Sequence, residues 1–575
     1  MKTESSPRWA LVGTLGAACL AAWAACSQSD SGGNPSTSSG TGGTPATGTS
    51  GSGTAGSTTD GTGGETGTGS ATGGTGGDTG SGGTGGSLGG SGGAGGSGPS
   101  NGGANVLQYH KNLSRDGLYV DAAFTKAAAA KIHRDAAFNA TIQGPTFAQP
   151  LYFEGAAGGK NVVIVATVQN RVYALDAATG AAVWQKQVAM PDTGTFGCGT
   201  NPTVGIIGTP VIDAGSKTVF FDAGQTGPTR RIHALSLDDG SERAGWPVDV
   251  TKLPSFDPRI HNQRSALSLL GGTLYVPYGG FVGDCGNYHG WVVGISISDP
   301  SQVKSFATAA LKSGIWGPGG LASDGTSLFV TTGNAPRGTM AWGQQEAVLR
   351  LQAGPVFLEQ PVNFFYPSDW STDLDANDRD LGGSGPILVD VPGATPSQLV
   401  VALGKNGVIY LLNRANLGGT GKGNGVTGEG VTSNRASSST IITAAGAYTT
   451  AQATYVVFRG AGINCPGGQT GDLVAVKISA ANPPAPTVAW CARQNGAGSP
   501  MVTTTDGHAE AIVWGLGATS SNRLMAFDGD TGAVIFNGGA AGDVMTATSK
   551  WITPIVARGR IYVAADNNVY AFTMQ

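Results

Sequence analysis

From about residue 140 onward the apolar residues fall in short runs and two-residue alternations, with no sustained stripe of period 3.6. Such a pattern predicts strands rather than helices. The clearest unit is Val172-Tyr173-Ala174-Leu175-Asp176-Ala177-Ala178-Thr179-Gly180, followed by Trp184. Its alternating apolar residues predict a half-buried strand, Asp-x-x-Thr-Gly a tight turn, and the tryptophan the start of the next strand.

Echoes of this unit return along the chain, and their first residues stand at 173, 233, 293, 349, 410, 474, 525 and 570, a spacing of 45 to 64 residues. Most are preceded by a second apolar strand: 161–166, 217–221, 272–276, 327–331, 398–402 and 560–564. Repetition of one strand set at this period predicts a β-propeller with one four-stranded blade per copy. Eight copies predict eight blades over residues 105–575. The chain ends soon after the eighth copy, leaving the last blade with three strands near 551–554, 560–564 and 568–574. The segment near His133–Ile142 is expected to supply the fourth and close the ring.

The string from Tyr173 to Trp184 resembles the repeat of the pyrroloquinoline-quinone (PQQ) enzyme superfamily, the quinoprotein alcohol-dehydrogenase-like propellers. The resemblance spans roughly residues 105–575 and implies the propeller fold. It does not choose between cofactor-binding dehydrogenases and cofactor-free lipoprotein scaffolds, because function sits in sites and not in folds.

Residues 315–334, from Ile315-Trp316-Gly317 to Thr332-Gly333-Asn334, resemble the dehydrogenase segment that carries the quinone floor and a calcium ligand. The resemblance implies Trp316 under a PQQ ring and Asn334 as an amide-oxygen donor to calcium. It also implies Lys405, in Gly404-Lys405-Asn406-Gly407, against the quinone oxygens, and Asp378 as general base. Three departures weaken it: no Glu lies between Phe196 and Asp238, no adjacent Cys pair occurs, and Asn377 stands where a tryptophan precedes the base. A second metal candidate is the acidic run Asp369, Asp373, Asp375, Asn377, Asp378 and Asp380, closed by Gly382-Gly383. Alternating oxygen donors on such a loop suit calcium, with Asp373 and Asp375 beside Asn334 as the ligands. The bland reading of the same run is a solvated loop between blades.

His261-Asn262-Gln263-Arg264 and Tyr288-His289-Gly290-Trp291 are polar-aromatic clusters of the third blade. On one open face, His261, Arg264, Tyr288, His289 and Trp291 would make a small-ligand or glycan surface; packed inward, they would stabilise a blade junction.

The 97 glycines change the picture only once located: residues 27–104 are almost entirely Gly, Ser and Thr, without Lys or Arg. This composition predicts a disordered tether with an r.m.s. span of about 50 Å. Residues 1–26 read as an export signal, with Lys2 and Arg8 before a run of apolar and small residues. Cys26 after Ala24-Ala25 resembles a bacterial lipobox, with Trp23 in place of the usual aliphatic residue. The expectation is a lipid anchor at Cys26 in the cell envelope, at the outer membrane. Four cysteines remain, and in an exported chain they favour disulfides: Cys465 with Cys491 inside one blade, Cys198 with Cys285 across consecutive blades. A net charge of −4, with no basic patch, argues against nucleic acid.

The leading expectation is thus a monomeric, lipid-anchored, non-enzymatic envelope propeller with an envelope protein or glycan partner. The competing expectations are an exported PQQ- and calcium-dependent oxidoreductase of alcohols or sugars, and a carbohydrate-binding surface protein.

Overall fold

In the computed structural model, residues 104–194, 203–421 and 429–574 are described. The export signal with Cys26, the tether up to residue 103, and Cys198 lie outside the described residues.

The third strand of every blade is the repeated signature. These strands are Arg171–Asp176, Thr229–Ser236, Trp291–Ser296, Val348–Gln352, Val408–Asn413, Leu473–Ile478, Leu524–Asp528 and Asn568–Thr573. Each pairs antiparallel with a preceding apolar strand, as Val162 opposite Asp176 and Val401 opposite Leu411. Among the described residues the strands form eight sheets, one per blade, giving an eight-bladed propeller. Both faces of the middle strands are buried, so they read as near-continuous apolar runs: Val162 to Ile164 and Leu399 to Val401 are all at most 1% exposed. The core therefore lies between neighbouring blades.

The signature turn is held by its own aspartate. The Asp176 carboxylate accepts from the backbone N–H groups of Ala178 and Thr179 and from the Thr179 hydroxyl. Asp528 repeats the arrangement with Asp530 and Thr531.

Ring closure follows the expected route. His133–Arg134 and Ala140–Thr141 pair with opposite ends of Asn568–Thr573, filling the fourth position of blade eight. The first strand of that blade is Ile555–Ala557, not 551–554. Trp551 has φ +73, a left-handed conformation incompatible with a strand, so 551–554 belong to the connection between blades.

The sequence pattern gave no sign of a strap formed by residues 106–121, which crosses the central channel and touches every blade. Val106 exchanges backbone hydrogen bonds with Tyr152 of blade one, and the Leu107 carbonyl accepts from Ile212 of blade two. The carbonyls of Leu113, Ser114, Asp116 and Gly117 accept from Ser323, Leu388, Ala447 and Val502, in blades four to seven. Leu118–Val120 then adds a parallel strand beside Met501–Thr504. The Asp121 carboxylate accepts from the Gly559 N–H in blade eight. Arg115, fully buried, reaches blades three and four: Nη2 donates to the Leu267 carbonyl at 2.9 Å and Nε to the Leu321 carbonyl at 2.7 Å. Tyr109 packs with Ala266 and Ala444, so the channel is filled at this level.

Candidate functional site at the channel mouth

The connections that lead into the innermost strands, and the loops between second and third strands, supply the residues of one channel mouth. Trp316 and Trp551 come from connections between blades, and Arg264 from the break between His261–Asn262 and Ser268–Leu270. Asn334 and Lys405 sit in loops that follow the second strands of blades four and five. Close backbone packing sets the position of Trp316: a Cβ on Gly333 would stand 2.9 Å from its Nε1.

Four of the expected residues thus share one neighbourhood: Trp316, Asn334, Asp378 and Lys405. Lys405 Nζ lies 2.6 Å from Asp378 Oδ1, 2.7 Å from Asp380 Oδ2 and 5.3 Å from the centre of the Trp316 ring. Burial pulls the Lys405 ammonium down, but Asp380 and Asp378 outweigh it and leave its pKa above the usual lysine value. The Asn334 backbone N–H donates to Asp380 Oδ1 at 2.9 Å.

The sequence reading named Asp380 and Arg264 in other roles and missed Glu346. Asp380, 3% exposed, rather than Asp378, is the buried carboxylate that holds Lys405. Glu346 is fully buried; its Oε2 accepts from the Leu381 N–H while Oε1 has no partner. Burial, then Asp380 and Asp375, raise its pKa well above the usual carboxylate value. The only signal for it was the polar run Gln344-Gln345-Glu346 before an apolar strand. Arg264 belonged, in the sequence reading, to a surface with Tyr288 and Trp291. Its guanidinium carbon instead lies 4.8 Å from the Trp316 ring centre and 5.7 Å from that of Trp551.

That surface is otherwise packed inward. His261, Tyr288 and Trp291 are 0%, 3% and 6% exposed. The Trp291 indole N–H and the His289 backbone N–H both donate to His261 Nε2, and Phe256 stacks on the His261 ring at 4.7 Å. His289 Nδ1 is within 2.8 Å of the Thr308 carbonyl. Hydrogen bonds within the blade thus occupy ring and backbone nitrogens of this cluster.

The acidic run does not wrap an ion. Trp370–Leu374 is a π-helical turn followed by Asp375–Asn377, and its carboxylates point to separate partners. Asp373 binds Arg379 and Asn377 on its own loop, while Asp375 Oδ1 accepts from the Ala335 N–H. Among the described residues no group of three or more His, Cys, Asp or Glu side chains could hold a metal ion. The residues present therefore do not fit a calcium cage. Lys405 beside Trp316 is the placement that the quinone resemblance implies, and Arg264 lies against the same ring. The Cys465–Cys491 disulfide forms within blade six as expected.

Comparison with known proteins matches this architecture. A family model described as outer membrane protein assembly factor BamB matches residues 146–280. Quinohemoprotein alcohol dehydrogenase from Comamonas testosteroni is similar in structure, with TM-score 0.56, 14% identity, and coverage of 82% of this chain and 80% of that one. A europium-containing methanol dehydrogenase is similar with TM-score 0.50 and 13% identity, covering 81% and 90%. These likenesses show the propeller fold, and one stretch of the chain matches the BamB-like repeat model. No curated protein matches the chain. Among the described residues no helix is long and apolar enough to cross a membrane.

Proposed function

We propose that this propeller is a non-enzymatic binding protein of the cell envelope, anchored by lipid at Cys26 and displaying the channel mouth around Trp316. The observation that carries the reading is Arg264 at 4.8 Å from the Trp316 ring, with Lys405 at 5.3 Å. A flat cofactor needs a free aromatic face, and Arg264, for which the quinone resemblance has no role, lies against this ring. The incomplete donor set supports the same reading, since calcium generally takes about six to eight oxygens. The family model described as an assembly factor of the outer membrane supports an envelope location and a protein or glycan partner.

The test is incubation of the full chain with PQQ and calcium, followed by absorbance after desalting and dye reduction with alcohols and sugars. Neither retained quinone nor dye reduction is expected. Calcium-dependent turnover, lost in Asp378→Asn, would overturn the reading. The anchor is tested separately: Cys26→Ser should move the protein from the membrane to the soluble fraction, and unchanged retention refutes lipidation.

A further inference from the structure

The cations at the channel mouth form an alternating series with its aromatics. Lys550 Nζ is 5.5 Å from the Trp551 ring centre, Arg264 is 5.7 Å from the same ring and 4.8 Å from Trp316, and Lys405 is 5.3 Å from Trp316. Lys405 is neutralised by Asp378 and Asp380. The other end of the series is not neutralised. The side chains of Arg264, Lys550 and Arg459 take no part in the salt bridges or side-chain hydrogen bonds among the described residues. The acids facing Arg264 are Asp380, bound to Lys405, and the exposed Asp284, bound to the Tyr288 hydroxyl.

The donors are also unspent. Arg264 Nε, Arg459 Nε and Trp551 Nε1 are buried atoms without an acceptor, although all three residues are only half-buried overall. Burial, then Arg459, Arg264 and Lys405, depress the Lys550 ammonium below its usual value, which places the four cations in one electrostatic neighbourhood. Like charges gathered with unsatisfied donors are costly in an empty site, and an acceptor-rich anion relieves both costs. Arg459 comes from blade six, and Lys550 and Trp551 from the connection into blade eight, and Arg264 joins this cluster to the adjacent Trp316–Asn334–Lys405 set.

We propose that Arg264, Arg459, Lys550 and Trp551 form a binding site for a small anion bearing carboxylate or phosphate groups. Arg264, Arg459 and Lys550 supply charge, Trp551 supplies an aromatic face, and the absence of free acceptors in this set selects against neutral sugars. This inference deepens the reading of the channel mouth as a binding surface and rests on it.

The test uses the full chain and two probes, citrate and inorganic phosphate, followed by calorimetry and tryptophan fluorescence at low ionic strength. Saturable binding of at least one probe is expected, weakened about tenfold or more in Arg459→Gln and in Lys550→Gln. The exposed Lys186→Gln should bind as the unaltered protein does. No saturable binding of either probe, or equal affinity in all three variants, would overturn the site. Quinone-dependent turnover with intact anion binding would remove the non-enzymatic reading and leave this site standing.

Discussion

Trp490 of blade six lies against Gly532 of blade seven so closely that a Cβ on the glycine would stand 2.7 Å from the indole ring. The indole N–H also donates to the Gly529 carbonyl at 2.7 Å. The same pair recurs one turn of the ring away: Gly240 would meet Trp184 at 2.7 Å, and the Trp184 N–H donates to the Leu237 carbonyl. At these two signature turns the closing glycine is therefore also the socket for the previous blade's tryptophan. With φ +72 at Gly532, an added side chain is strained as well as obstructed. Gly532→Ala should cost about 2–4 kcal/mol in urea unfolding, and a loss under about 1 kcal/mol would contradict this account.

Arg115 ties the strap to the channel wall. Burial pulls its guanidinium down to about 9, so it remains a cation at neutral pH, bonded to the carbonyls of Tyr109, Leu267 and Leu321. Arg115→Met strands those carbonyls inside the channel. The expected cost is about 3–5 kcal/mol by denaturant unfolding. An unchanged midpoint would mean that the strap does not staple the blades.

Stability should depend on pH through the buried acids. Burial, and then Asp380, push the Asp375 carboxyl up to about 7, above its unfolded value of about 3.9. The folded protein thus keeps a proton that the unfolded chain releases. This contribution to stability is complete below about pH 4 and is lost as pH rises through about 7. Glu346, also raised, acts with the same sign. Melting temperature measured across this range should fall less steeply with rising pH in Asp375→Asn than in the unaltered protein, and parallel curves would count against it.

The Cys465–Cys491 disulfide closes a loop with sequence separation 26. Replacing both cysteines with serine should lower unfolding free energy by roughly 3 kcal/mol, chiefly by freeing the unfolded chain. Equal stability of the double variant and the oxidised parent would show that the loop is already held by the blade.

The sequence by itself determined the ring. A period of 45 to 64 residues, the Asp-x-x-Thr-Gly turns and two-residue alternation are local signals, because each blade is a local sheet that repeats the same side-chain problem. Closure by His133–Ile142 followed from the missing strand of blade eight, and Trp316, Asn334, Asp378 and Lys405 were readable as neighbours from their motifs. Only the tertiary structure decided what those neighbours do. That Asp380 rather than Asp378 buries against Lys405, that Glu346 arrives buried against the Leu381 N–H, and that Arg264 leaves its own blade's cluster to lie between Trp316 and Trp551 depend on side chains from different blades meeting in the channel. The strap is the extreme case: its carbonyls bind backbone N–H groups in six blades, and backbone hydrogen bonding leaves no mark on residue type.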